Sequence, residues 1–273
     1  MRAGSVRTME KGIHMRRFVA AALASTALAM PAMAADLAPY VKSPVVVPWT
    51  WTGVYFGGDV GGAWSDNTAT FTPLPSPTAF GAFGALPTSG NTGGSAFAGG
   101  FYGGYNYQFS PSFVAGIEGD WTGMRATGAY NQLAVAPGGG VLVGSSVAMN
   151  SEVEWAATLR GRLGYLIWPN LMLYGTGGGA WGKIQYAGNF NDGVAYSAGA
   201  QFNNTSSGWV AGGGLEWAPF TGFGLLFRVE YLYYDFSSGQ SAIATAPGFT
   251  TPSGFTWTAP KMSVARFGMS YKF

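Results

Sequence analysis

The sequence predicts an all-β protein: an eight-stranded antiparallel up-and-down transmembrane β-barrel behind a cleaved signal peptide. Three observations predict it. Eight stretches alternate apolar and polar residues, at about 51–64, 96–109, 113–127, 152–167, 171–186, 208–219, 224–236 and 261–273. The gaps between them run long, short, long, short, long, short, long. Charged residues on the polar faces recur at matched heights on neighbouring stretches.

Period-two alternation is the mark of a strand with two different faces. The short gaps are Ser110-Pro111-Ser112, Trp168-Pro169-Asn170 and the turn around Phe220–Phe223, and the long ones are 65–95, 128–151, 187–207 and 237–260. A soluble sandwich has no reason to gather its long loops at one end of a meander, whereas a membrane barrel has short periplasmic turns, long outer loops and an even strand count. Each stretch reaches the roughly 9–11 residues that a tilted spanning strand needs. Lipid offers no hydrogen-bond partners, so the sheet must close, and eight strands leave an interior that side chains fill.

The N-terminus carries its own signal. Met15-Arg16-Arg17 precedes the apolar FVAAALASTALAM, and Ala32-Met33-Ala34-Ala35 supplies an A-x-A cleavage site, with the cut after Ala34. That is the tripartite secretory signal, and its apolar run is too short to span a membrane as a helix. Met15 reads as the natural start, which makes residues 1–14 an upstream start artefact. The expected organisation is 1–34 signal peptide, 35–50 a Pro-rich periplasmic leader with Pro39, Pro44 and Pro48, and 51–273 the barrel. Fourteen Lys and Arg less five in the signal leave nine, and twelve acids less Glu10 leave eleven, so the mature chain is net −2. That balance removes the electrostatic motive for nucleic acid.

In the first strand, Val54, Phe56, Val60 and Trp64 oppose Tyr55 and Asp59. In the third, Phe113, Ile117 and Trp121 oppose Glu118, Asp120 and Thr122. The fourth sets Val153, Trp155, Leu159, Leu163, Tyr165 and Ile167 against Glu152, Glu154, Thr158, Arg160 and Arg162. Trp209, Leu215 and Trp217 oppose Glu216, and Phe227, Val229 and Tyr231 oppose Arg228 and Glu230. The fifth, LMLYGTGGGAWGKIQY, is too Gly-rich to assign. In a barrel these apolar faces meet lipid and the charges enter a narrow lumen, where an unpaired charge is costly. The expectation is a mid-height lumenal ion-pair network of Asp59, Glu118, Asp120, Arg160, Arg162, Glu216, Arg228, Glu230 and Arg266. Matching heights suggest Glu118 and Asp120 with Arg162 and Arg160, Glu216 with Arg228, and Arg266 with Glu230 or Asp59.

Several motifs invite chemical readings. Gly177 to Lys183 fits G-x-x-x-x-G-K, but Ile184 stands where a phosphate loop needs Ser or Thr, and no helix pattern follows. Glu152 and Glu154 could be paired carboxylates, with Lys183 as a structural partner instead. Tyr102, Tyr130, Tyr186 and Tyr196 could present a haem-ligating phenolate. An interfacial aromatic belt is the plainer reading of such residues, with Trp51, Phe109, Tyr165, Trp217, Tyr271 and Phe273 on the periplasmic side. The mature chain has no His and no Cys, so imidazole and thiolate chemistry and disulfides are excluded.

WTWTGVYFGGDVGGAW after ADLAPYVKSPVVVP, with VARFGMSYKF at the end, resembles the alphaproteobacterial outer-membrane β-barrel surface-protein family, a porin-like, surface-antigen group related to the OmpA transmembrane domain. The resemblance implies a Gram-negative outer membrane, with lipid and lipopolysaccharide around the barrel. The alternate Phe267, Met269, Tyr271 and Phe273 resemble the C-terminal signal read by the barrel-assembly machinery. The expected function is non-enzymatic and cofactor-free: envelope integrity with surface-exposed loops. The alternatives are a narrow channel for ions or small solutes, or a surface protein binding haem or a host molecule through loops 65–95 and 237–260.

Overall fold

In a computed structural model, residues 49–73, 87–135, 140–141, 143–248 and 252–273 are described. The signal peptide, its cleavage residues Ala32, Ala34 and Ala35, and all of the leader before Trp49 lie outside them.

Strands β1 (Gly53–Asp66), β4 (Ser95–Gln108), β5 (Phe113–Gln132), β6 (Ser146–Trp168), β7 (Leu171–Asn191), β8 (Ser197–Phe220), β9 (Leu225–Phe236) and β12 (Lys261–Lys272) form a closed antiparallel barrel. Closure is by β1, which pairs with β4 from Gly53↔Asn106 to Trp64↔Ser95 and with β12 from Tyr55↔Lys272 to Asp66↔Lys261. The last residue is inside this closure: the Phe273 amide donates to the Val54 carbonyl at 2.9 Å. Every backbone ladder group therefore has a neighbour, as a lipid environment requires.

Alternation sorts the side chains. Phe56, Val60, Ile117, Leu159, Leu163, Val229, Phe267 and Met269 stand outward and exposed, while the charged residues between them are buried. The Gly-rich β7 resolves as well: Met172, Tyr174 and Ala180 point in, Leu173 and Trp181 out. Its Gly182 sits under the Phe236 ring, where a Cβ would approach to 2.9 Å.

The described residues of the stretches expected as long loops are largely strand. β2 (Thr68–Pro73), β3 (Thr88–Asn91), β10 (Gln240–Thr245) and β11 (Pro252–Trp257) make a second sheet in the order β10-β11-β2-β3. Opposite it, β5 to β8 continue past the barrel rim, pairing as far as Gln132↔Val147, Ser146↔Asn191 and Asn191↔Ser197. The two layers enclose an aromatic core. Phe71 stacks on Phe190 at 4.8 Å and meets Phe255 at 5.6 Å, and Tyr186 lies 5.5 Å from Trp257. The outer ends thus form a folded β-sandwich head. Segments such as TATFTP and PSGFTW escape a periodicity reading because six residues offer one or two large side chains each.

A bulge in β6 marks the passage from barrel to head. Against β7, the register jumps between Val153 and Trp155, leaving Glu154 as the extra residue. An inserted residue puts side chains of the same parity on opposite faces before and after it. Hence Val147, Met149 and Val153 point into the head core. This corrects the sequence expectation, which kept Val153 on the lipid side and Glu152 and Glu154 in the lumen. Glu154 instead pairs with Lys183 at 2.7 Å on a partly exposed face, and Glu152 accepts a hydrogen bond from Thr127 at 3.0 Å.

Candidate functional site

The barrel interior is filled in three levels. At the periplasmic mouth, Trp51, Val114, Leu166, Met172 and Leu226 form an apolar plug, with Trp49 packed against it. Trp51 is fully buried and its indole N–H donates to the Pro169 carbonyl at 3.1 Å. It is therefore not a girdle residue. Local alternation cannot reveal this, because Trp51 precedes the first strand and turns back into the mouth. Phe109, Tyr165, Trp217, Tyr271 and Phe273 are exposed on the outside, as girdle residues are.

The middle level brings together all nine charged residues singled out above, each buried. Arg160 of β6 joins Glu118, Asp120 at 2.9 Å and Glu230 at 3.1 Å. Arg162 pairs with Glu216 and reaches Glu118 at 3.4 Å. Arg228 bridges Asp59 at 3.2 Å and Glu118 at 2.8 Å. Arg266 meets Asp59 at 3.2 Å, Asp120 at 3.3 Å and Glu230 at 2.6 Å.

Matching heights gave three of the four expected pairings, Asp120 with Arg160, Glu118 with Arg162, and Arg266 with both Glu230 and Asp59; the fourth does not form. Glu216 and Arg228 are directly opposed in register, yet the guanidinium that pairs with Glu216 is that of Arg162, from β6. In a narrow barrel, inward side chains converge on the axis and meet partners across the lumen as readily as beside them.

Five carboxylates face four guanidiniums, and neutral donors add to the coordination of three of the carboxylates. The Tyr55 hydroxyl donates to Glu118 at 2.8 Å, that of Tyr174 to Glu230 at 2.9 Å, and that of Thr158 to Asp120. Arg228 lies 3.2 Å from the centre of the Tyr102 ring and Arg162 lies 4.1 Å from that of Tyr174, the favourable face for a cation. Tyr55 and Tyr174 were not among the expected site residues. Their inward parity on β1 and β7 was the available signal.

Above the charges, Met124, Val153, Ile184, Tyr234, Phe236, Met262 and Val264 form an apolar level continuous with the head core. The network is thus enclosed between two apolar layers. A buried charged cluster whose members engage one another across several strands holds those strands in one register.

The remaining candidates are placed as follows. Gly177 to Lys183 lies wholly within β7, with no helix after it, so the phosphate-loop geometry is missing. Tyr102 is under Arg228, Tyr186 packs on Trp257, Tyr196 lies 5.9 Å from Phe190, and Tyr130 shares a hydrogen bond with Thr88 at 2.5 Å. None of the four stands free for a ligand.

Residues 51–273 match the OmpA-like transmembrane domain. The chain belongs to that family. Among its relatives is the 31 kDa outer-membrane immunogenic protein of Brucella melitensis, 31% identical across 93% of this chain and 97% of the relative. The 22 kDa outer membrane protein of Rhizobium leguminosarum bv. viciae is 27% identical over 72% and 70% of the two chains. Similar solved structures include Ail of Yersinia pestis, at 15% identity and TM-score 0.35 over 81% of this chain and 99% of that one. OprG of Pseudomonas aeruginosa stands at 12% identity and TM-score 0.39, over 81% and 97%. This OmpA-like barrel is an outer-membrane protein of the surface-antigen kind, and its network lies within the membrane-embedded wall.

Proposed function

We propose that the protein is a non-enzymatic, non-conducting structural barrel of the outer membrane that carries a folded β-head on the cell surface. The observation behind this reading is the placement of the charged lumen between the Trp51 plug and the apolar level around Val264 and Phe236. An ion entering from either side would have to cross an apolar layer and then displace arginines already engaged by carboxylates, at a desolvation cost of several kcal/mol. The mature chain's lack of His and Cys favours the non-enzymatic reading.

Planar-bilayer recording tests it. The purified barrel should give no reproducible conductance steps; uniform steps would replace the structural reading with that of a narrow channel.

The outward row Phe267, Met269, Tyr271 and Phe273 supports a further role as the signal for the barrel-assembly machinery, within lipid and lipopolysaccharide. The Phe273 backbone also stitches β12 to β1. Deleting Phe273 should leave unassembled chain in the periplasm, measured by cell fractionation. Normal assembly would remove that role.

A further inference from the structure

The outward face of β5 to β8 changes character in three steps along the same strands. Below the rim, Leu159, Leu173, Trp181, Trp209 and Leu215 stand exposed to lipid. At the rim are two ion pairs, Lys183 with Glu154 at 2.7 Å and Arg125 with Glu152 at 4.0 Å. Above them, no residue of these four strands is charged.

The upper face is a checkerboard of amides and small side chains. Register sets Ala148 between Asn131 and Asn189, and Ala187 between Asn150 and Gln201. The alanines floor a shallow trough of about 210 Å³, with Asn131, Asn150 and Asn189 along it. All four amide residues are exposed. Among the described residues, none of their side chains is hydrogen-bonded within the protein. Strands disfavour Asn, so this face goes against local preference, and such departures concentrate at functional sites.

We propose that this face binds the saccharide chain of lipopolysaccharide molecules in the protein's own outer membrane. A carboxamide donates and accepts at once, as a sugar hydroxyl does, and carries no charge. The alanine methyls offer an apolar floor to the C–H faces of sugar rings.

The order of the bands selects the source of the sugar. Lipopolysaccharide runs from acyl chains through a charged, phosphate-bearing region to saccharide. The outward face runs from apolar through charged to amide, along strands continuous with the lipid-facing wall. A molecule whose acyl chains lie against Leu159 and Trp181 carries its sugars up against Asn150 and Asn189. Anchorage in the leaflet keeps those sugars at high effective concentration, so weak single contacts suffice. The site needs the head to stand outward, as in the reading above, but not a sealed lumen, so a conducting barrel would leave it standing.

The test uses the full folded barrel in detergent and lipopolysaccharide extracted from the bacterium that makes the protein. Mild acid divides that lipopolysaccharide into lipid A and released saccharide. Wild-type protein should bind the intact molecule about tenfold more tightly than lipid A, the scale of one or two net hydrogen bonds. Released saccharide should compete with it. Asn150→Ala/Asn189→Ala removes two amides, and Ala148→Leu/Ala187→Leu fills the trough. Each should bring intact lipopolysaccharide down to the lipid A level and leave lipid A binding unchanged. Heat-modifiable gel mobility verifies that both variants are folded. Equal binding of intact lipopolysaccharide and lipid A to the wild type would overturn the proposal, as would released saccharide that fails to compete. A preference that survives in either variant would overturn it too. So would dextran competing as strongly as released saccharide, because the face would then take any neutral glycan.

Discussion

The barrel and the head share four strands, β5 to β8, yet they obey opposite rules. In the barrel wall, the interior is charged and the exterior apolar, with Leu159 and Leu163 outside and Arg160 and Arg162 within. In the head, the interior is aromatic and polar residues such as Gln201, Asn203 and Thr205 face out. Solvent explains the inversion: lipid accepts the apolar face below the rim, and water drives it inward above. Each strand must change sides at the rim, and two neighbours do so differently. In β7 the sequence itself slips phase, from Leu173 and Trp181 to Ile184, Tyr186 and Phe190. In β6 the odd-numbered positions are non-polar in both regions apart from Ser151, and the Glu154 bulge puts them outside in the barrel and inside in the head.

Removing that bulge is the severest way to break the contrast. Deleting Glu154 should turn Val147, Met149 and Val153 out of the head, at about 2 kcal/mol for each side chain exposed. The head should become protease-sensitive while the barrel keeps its heat-modifiable mobility; a resistant head would show that the bulge does not set the inversion. Next, Arg160→Ala should remove the partner of three buried carboxylates and cost about 3–5 kcal/mol. That loss should appear in detergent-phase unfolding of the barrel.

Trp257→Ala should cost about 3–5 kcal/mol by cavity formation, but within the head alone. If it lowers barrel unfolding as much as Arg160→Ala does, the two regions form one cooperative unit.

The smallest effect concerns the β7–β8 turn. Slight burial favours the neutral Asp192 carboxyl, but Oδ1 accepts the amides of Val194, Ala195 and Tyr196 at 2.9–3.0 Å, holding it below the usual carboxylate range. A depressed carboxylate stabilises the fold above its unfolded pKa and loses that contribution as pH falls through the folded value. Amide exchange at Val194 to Tyr196, corrected for intrinsic rates, should show less protection on acidification, and Asp192→Asn should flatten that dependence.

The lumenal residues and most of their partners were legible because parity and height need only strand periodicity and turn position. The exception is Glu216, whose partner Arg162 reaches it over the intervening strand β7 and not along a ladder. Trp51 misled for a related reason: an aromatic beside the predicted interface looks the same in sequence whether it faces lipid or folds under the barrel.

Sequence alone determined the barrel: eight alternating stretches, three tight turns, and the outward Phe267, Met269, Tyr271 and Phe273 of the closing strand. These are local patterns imposed by one backbone period and one solvent. Tertiary structure decided the head, the sealed ends of the lumen and those charge pairs that skip over a neighbouring strand. Those rest on contacts such as Phe71 with Phe190 and Arg228 with Asp59. Such pairs are far apart in the chain and form only once closure has brought the strands to their final register.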